Sequence, residues 1–231
     1  MVQEGGKAAI FDVSDEQGQK LAQELGESAI YCHTDVTDEA SVQEGIQKVL
    51  NSYARIDGEI NCAGIGIPSK VLSKKGPMPL EYFNKTIQIN LVGSFNVARL
   101  AVEHIAKNEP NEEGERGIVI NTASVAAFEG QIGQVAYSAS KGGVVGMTLP
   151  MAREFAQHGI RVVTIAPGLF DTPMFAALGD EVRQSLAKQL PFPSRFGKPS
   201  EYAQMASAII ANPVLNGETI RLDSAMRMQP K

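Results

Sequence analysis

Short apolar, β-branched runs alternate along this chain with longer segments in which apolar positions recur every three or four residues. The first pattern belongs to strands buried on both faces, the second to helices lying on a sheet. Six strands are predicted, over residues 7–11, 29–33, 58–61, 117–121, 161–165 and 218–222. Gly117-Ile-Val-Ile-Asn and Arg161-Val-Val-Thr-Ile lack a regular polar alternation, as central parallel strands require. After Asp38, a residue suited to cap a helix, Val42, Ile46, Val49, Leu50 and Tyr53 make one apolar stripe. Long helical stretches cover 80–105 and 137–157, and Pro150 inside the second demands a kink or a lost hydrogen bond. Ser200, following Pro199, caps a last helix toward residue 212. The alternation predicts an α/β fold, a doubly wound, mostly parallel and Rossmann-like sheet, in one domain over 1–231. Polar loops at 68–79 and 108–116 have neither the length nor the composition of linkers between domains.

Composition removes several function classes. With 26 acidic against 21 basic residues and a net charge of −5, the chain as a whole carries no nucleic-acid footprint. No apolar run approaches the ~18–20 residues of a membrane-spanning helix, so no membrane association is expected. Two cysteines cannot build a disulfide framework, which points to a reducing, intracellular compartment. The first ten residues have neither a secretory nor an organelle-transit pattern. His33, His104 and His158 lack metal-ligand spacing, so no metal is expected.

Candidate chemistry begins at Asp12, which closes the run Ala8-Ala-Ile-Phe. In a dinucleotide-binding sheet, an acid ending the second strand accepts hydrogen bonds from the adenosine ribose hydroxyls. Val13, Ser14, Asp15 and Glu16 follow, with no cation for a 2′-phosphate, so the position favours NAD. The alternative is that Asp12 only starts the turn into a helix. The glycine fingerprint for a pyrophosphate should lie ~20 residues earlier, and only eleven residues precede Asp12. Gly5-Gly6 and Gly64-Ile-Gly66 do not replace it. The spacing therefore predicts a sheet without its first strand and glycine loop, and weak or no activity for these 231 residues by themselves.

Tyr137 and Lys141 stand four residues apart, on one face of a helix. A free phenol has a pKa of about 10, and a neighbouring cation lowers it toward a value useful for proton transfer. Ser124 follows a strand and precedes Tyr137 by 13 residues, while Asn61-Cys-Ala-Gly64 and Pro167-Gly168 end two others. Ligands of open α/β sheets bind at such strand ends.

With Asn61-Cys-Ala-Gly64 as the NxAG turn, Asn90 as the helix asparagine, Ser124 as the serine and Tyr137 with Lys141 as the YxxxK pair, the chain resembles the short-chain dehydrogenase/reductase family. Residues 120–130, 166–173 and 216–223 resemble its branch of 3-hydroxyacyl-CoA and hydroxysteroid dehydrogenases. The resemblance implies an NAD-dependent enzyme interconverting a secondary alcohol and a ketone on an acyl-CoA or a steroid. It further implies a homotetramer, mitochondrial in an animal and cytoplasmic otherwise. By the same resemblance Asp12, Asp35, Val36 and Cys62 line the adenosine and ribose site, Tyr137 and Lys141 hold the nicotinamide ribose, and Phe170 and Thr172 flank the nicotinamide. Tyr137 would move the alcohol proton, Lys141 would lower its pKa, Ser124 would bind the substrate oxygen and Asn90 would organise a water. Gln131 and Gln134 are placed either against substrate or on a surface loop. Lys70, Lys74 and Lys75 are either a contact for CoA phosphates or a solvated face. Cys62 reads as a small packing residue. Two rivals stand beside this reading: a 3-oxoacyl-carrier-protein reductase, and a non-catalytic interaction subunit.

Overall fold

The computed structural model describes residues 1–173 and 179–230. Parallel strands carry the fold: β1 (Ala8–Asp12), β2 (Ala29–His33), β3 (Gly58–Asn61), β6 (Gly117–Thr122), β7 (Ile160–Pro167) and β8 (Thr219–Leu222). Helices α1 (Asp15–Leu25), α2 (Glu39–Tyr53), α3 (Leu80–Ile87), α4 (Ser94–Ile105) and α5 (Val135–Phe155) connect them, followed by α6 (Asp180–Ala187) and α7 (Pro199–Ala211). This is the doubly wound α/β arrangement that the alternating pattern predicts.

The strands fall into two groups. β1 pairs with β2, Ala8 opposite Ala29 through Asp12 opposite His33. The second sheet runs in the order β3, β6, β7, β8. Its register sets Asn61 beside Asn121, Thr122 beside Ile165 and Pro167 beside Leu222. Among the described residues, β1 and β3 each have a strand partner on one side only. Helices join the two groups: Val42 and Ile46 of α2 pack with Val97, Ala98 and Ala101 of α4, and Phe11 of β1 lies against that cluster. The Asn96 Nδ2 donates to the Val36 carbonyl at 2.9 Å. Because β3, β6 and β7 are parallel, their carboxyl ends share one edge, and the turns that follow them face a common cleft.

Several expectations need correction. The stretch 80–105 is not one regular helix: a π-helical turn, Gln88–Gly93, separates α3 from α4. Ser200 does not cap α7. Pro199 takes the first helical position and Lys198 the cap, whose backbone N–H donates to the Glu201 carboxylate at 2.7 Å. The polar loop 68–79 contains a small antiparallel hairpin, β4 (Leu72–Ser73) with β5 (Gly76–Pro77). Helix α5 runs from Val135 to Phe155 with Pro150 inside it, so of the two expected outcomes the lost backbone N–H holds without ending the helix. Asp38 does cap α2, its carboxylate accepting the Ala40 N–H at 2.9 Å. Cys32 is buried, but Cys62 is exposed at the turn after β3, so it lines a surface and does not pack the core. No helix among the described residues is long and apolar enough to cross a membrane.

Candidate active site

Tyr137 and Lys141 lie in the first two turns of α5, where the helical repeat stacks them on one face. Lys141 is buried, 4% exposed, and donates from Nζ to the carbonyl of Thr122 at 2.7 Å. That carbonyl ends β6, so the lysine is tied to the edge of the sheet. The Nζ stands 5.9 Å from the centre of the Tyr137 ring. Burial lowers the Lys141 pKa to about 8, with the neighbouring Cys62 acting weakly in the other direction. Burial likewise pushes the Tyr137 phenol above its ordinary value, and a hydrogen bond with the Ser124 hydroxyl pulls it back. The expected lowering of the tyrosine by the lysine is therefore not the net result here, because desolvation of the phenolate is the larger effect.

Ser124 follows β6 in an extended conformation and caps a short turn, its hydroxyl accepting the Ala126 N–H at 3.2 Å. The π-helical turn brings Asn90 to the same place, fully buried. Its Nδ2 donates to the Ile65 carbonyl at 2.9 Å and to the Ser140 hydroxyl at 3.0 Å, and its Oδ1 accepts the Ile65 N–H at 2.8 Å. The Ser140 hydroxyl donates in turn to the Tyr137 carbonyl at 2.7 Å. Asn90 thus connects the turn after β3 to the helix carrying Tyr137. Gly64 leaves room at this junction: a Cβ there would stand 3.3 Å from Asn90 Oδ1 and 3.5 Å from Lys141 Nζ.

Asp12 is exposed at the end of β1, with one carboxylate oxygen accepting the Ser14 N–H at 2.8 Å. Asp35 is also exposed and accepts from the Thr37 N–H at 2.9 Å and hydroxyl at 2.7 Å, which holds its carboxyl below the usual range. The Val36 side chain rests against Gly93 so closely that a Cβ there would come within 2.5 Å of it. Phe170 is buried, edge-on to the Tyr202 ring at 6.5 Å and against Gly197. Thr172 lies two residues further on, half-buried. Gln131 and Gln134 are partly spent on each other and on the chain: the Gln134 Oε1 accepts the Gln131 N–H at 2.9 Å, and the Gln131 Nε2 donates to the Gln229 carbonyl at 2.8 Å. Lys70, Lys74 and Lys75 are exposed on and beside the hairpin.

Sequence reasoning missed Thr122, Ser140 and Tyr202. The Thr122 hydroxyl lies 2.6 Å from the Tyr202 hydroxyl and 3.8 Å from the Cys62 sulfur, joining the ends of β6 and β3 to α7. Thr122 could have been found from its place two residues before Ser124 at a strand end. Tyr202 comes from α7, remote in sequence, and carries no local signal. Among the described residues no group of His, Cys, Asp or Glu could hold a metal.

A tyrosine beside a buried lysine, with a serine at the same strand edge of a parallel sheet, is an arrangement suited to proton transfer at a carbonyl or alcohol oxygen. The chain belongs to the short chain dehydrogenase family, whose model matches residues 1–183. It is 53% identical over 232 aligned positions to the 3-hydroxyacyl-CoA dehydrogenase type-2 of Bos taurus, an alignment covering 100% of this chain and 89% of the relative. A 3-oxoacyl-[acyl-carrier-protein] reductase of Thermotoga maritima is 34% identical, covering 97% of this chain and 89% of the other. The crystal structure of 3-hydroxyacyl-CoA dehydrogenase type-2 from Mycobacterium avium superposes with a TM-score of 0.95 at 42% identity, covering 100% of this chain and 90% of that one.

Proposed function

We propose that this protein is an NAD-dependent dehydrogenase that interconverts 3-hydroxyacyl-CoA and 3-oxoacyl-CoA. The observation that carries the proposal is the buried Lys141 on the Thr122 carbonyl, one helical turn from Tyr137, with Ser124 on the phenol. The names of the relatives at 50% identity and above supply the substrate class. Exposed Lys70, Lys74 and Lys75 at the same edge suit the phosphates of a CoA thioester.

The residues present suit the two riboses of a nicotinamide dinucleotide, while no glycine loop for its pyrophosphate lies among the described residues. The bare backbone at Gly64 and Gly66 leaves open floor beside Lys141 and Tyr137, and the exposed carboxylate of Asp12 can accept ribose hydroxyls. Asp15, exposed close by, is already held by the Tyr31 hydroxyl at 2.8 Å and the His33 Nδ1 at 2.9 Å, which leaves discrimination against a 2′-phosphate to Asp12. Tyr137 and Lys141 would hold the nicotinamide ribose, Asp35, Val36 and Cys62 the adenosine side, and Phe170 and Thr172 the nicotinamide face. When bound, the nicotinamide accepts or supplies the hydride. The Tyr137 oxygen takes the hydroxyl proton of the substrate during oxidation and returns it to the carbonyl oxygen during reduction. Ser124 holds that oxygen by a hydrogen bond. Lys141, positively charged below about pH 8, stabilises the phenolate when it forms. Asn90 spends its side chain on Ile65 and Ser140, and its carbonyl accepts the Ser94 hydroxyl at 2.9 Å, so any water it organises would have to share these groups.

Comparing turnover of acetoacetyl-CoA, the same ketone on a carrier protein, and a 17-ketosteroid, each with NADH and NADPH, tests the reading. Preference for the CoA thioester with NADH is expected. A preference for NADPH or for the carrier-protein substrate would replace it with the reductase reading, and saturable partner binding without turnover by any cofactor would favour a non-catalytic subunit.

A further inference from the structure

The ten residues between Ser124 and Val135, where α5 begins, form a segment bound to residues 221–230 by contacts that the proton-transfer chemistry does not use. Glu129 is the centre of the junction. Its carboxylate takes both Nη atoms of Arg221, at 2.8 and 3.3 Å, the Arg227 Nε at 3.3 Å and the Met228 N–H at 3.1 Å. Arg221 sits on β8 and is filled on its other sides: Nε donates to Asp223 at 2.7 Å, Nη2 to the Met226 carbonyl at 3.0 Å, and its guanidinium covers the Phe128 ring at 5.3 Å. Further along, the Gln131 side chain holds the Gln229 carbonyl and the Ile132 N–H donates to the Pro230 carbonyl at 3.0 Å. The tail reaches this position by a reversal at Ser224 and Ala225, both with positive φ, and is anchored by Met226, buried against Leu190 and Phe196. On the opposite side, the Gly133 carbonyl accepts the Ser69 N–H at 2.9 Å.

Ser124 and Tyr137 have anchors of their own, the end of β6 and the body of α5. Loosening the loop between them would therefore leave the reacting groups in place and alter the wall they face. A planar Arg221 fork on a carboxylate fixes a loop in orientation as well as distance, and both partners are largely shielded, at 22% and 25% exposed, where such a pair is screened less than on the open surface.

We propose that Glu129 and Arg221 are positioning residues for substrate binding, and that the C-terminal segment 223–230 is a strap setting the loop of Gln131 and Gln134 as one wall of the acyl-substrate site. The proposal rests on the dehydrogenase reading above. In Glu129→Gln the amide offers Arg221 a donor where it needs an acceptor. The expected result is a KM for acetoacetyl-CoA raised about tenfold, with kcat within about twofold of wild type and the KM for NADH unchanged. Arg221→Lys, which keeps the charge and loses the fork, should raise the same KM by a smaller factor. The double variant should be no worse than Glu129→Gln by itself, since both break one strap. A structural role without positioning would instead lower the active fraction, reducing kcat with every KM unchanged, and that pattern overturns the proposal. Hydrogen exchange gives a readout independent of turnover: the Met228 and Ile132 amides should exchange faster in Glu129→Gln, and unchanged exchange at both also overturns it. If wild type turns over no acyl-CoA while these amides still lose protection in the variant, the substrate reading fails and the strap stands as architecture only.

Discussion

Asn90 holds the backbone of Ile65 at both of its polar groups, accepting the N–H at 2.8 Å and donating to the carbonyl at 2.9 Å. Residue 65 belongs to the turn that would face a cofactor, and Asn90 to a π-helical turn between two helices. The extra residue in that turn is what aims the amide at the cleft, a frequent use of π-bulges at functional sites.

Asn90→Ala should cost about 1–3 kcal/mol for each Ile65 group left unpaired away from water. Asn90→Asp should not rescue it, since its second oxygen would meet the Ile65 carbonyl as acceptor against acceptor. Urea midpoints for the two variants check this, and a near-wild-type midpoint for Asn90→Asp would contradict it.

Tyr137→Phe removes the proposed proton carrier and keeps the ring. Turnover should fall roughly 10²–10⁴-fold, the range of general acid–base catalysis, with the fold intact by circular dichroism. Because burial raises the Tyr137 pKa above its ordinary value, phenolate is scarce at neutral pH. Alcohol oxidation should accelerate as pH rises from 7 toward 8, by up to about tenfold per unit, and level off above that as Lys141 loses its charge, while ketone reduction, which needs the phenol protonated, should not rise.

Asp12→Asn keeps an acceptor for the Ser14 N–H and removes the charge facing a 2′-phosphate. The ratio of NADPH to NADH affinity should rise by about tenfold, the scale of one lost charge repulsion of ~1.4 kcal/mol. Fluorescence titration of both cofactors measures it, and an unchanged ratio would show that discrimination lies elsewhere.

Glu59 on β3 has an oxygen, Oε2, that is buried with no partner among the described residues, and Asn61 donates to the other at 3.0 Å. Burial raises its pKa from an ordinary 4.5 to about 8. The folded state thus binds the proton more tightly than the unfolded chain. The resulting stability is complete below pH ~4.5 and lost as pH rises toward 8, at up to about 1.4 kcal/mol per unit. Glu59→Gln, which cannot ionise, should be more stable than wild type at pH 8 and lose that advantage at pH 5. Urea unfolding at the two pH values decides, and equal differences at both would sink the assignment.

Much of the fold was legible along the chain because buried parallel strands must be continuously apolar and crossover helices must be amphipathic. β2 and β3 start and end where the pattern places them, and β6, β7 and β8 differ by one or two residues at their ends. The spacing of Tyr137 and Lys141 is intrinsic to a helix, so four positions in sequence already mean one face. The π-helical turn was hidden in an apolar stretch that suits a regular helix equally well. The pairing of Lys141 with the Thr122 carbonyl, of Tyr202 with Thr122, and of Glu129 with Arg221, 92 residues apart, depends on which strand ends lie side by side. The net direction of the Tyr137 shift depends on burial, which spacing does not reveal. Local periodicity and residue chemistry determined the elements and the candidate reacting groups. Only the tertiary structure decided their partners, their desolvation and the strap around them, because those are set by contacts between segments that the chain's own order does not bring together.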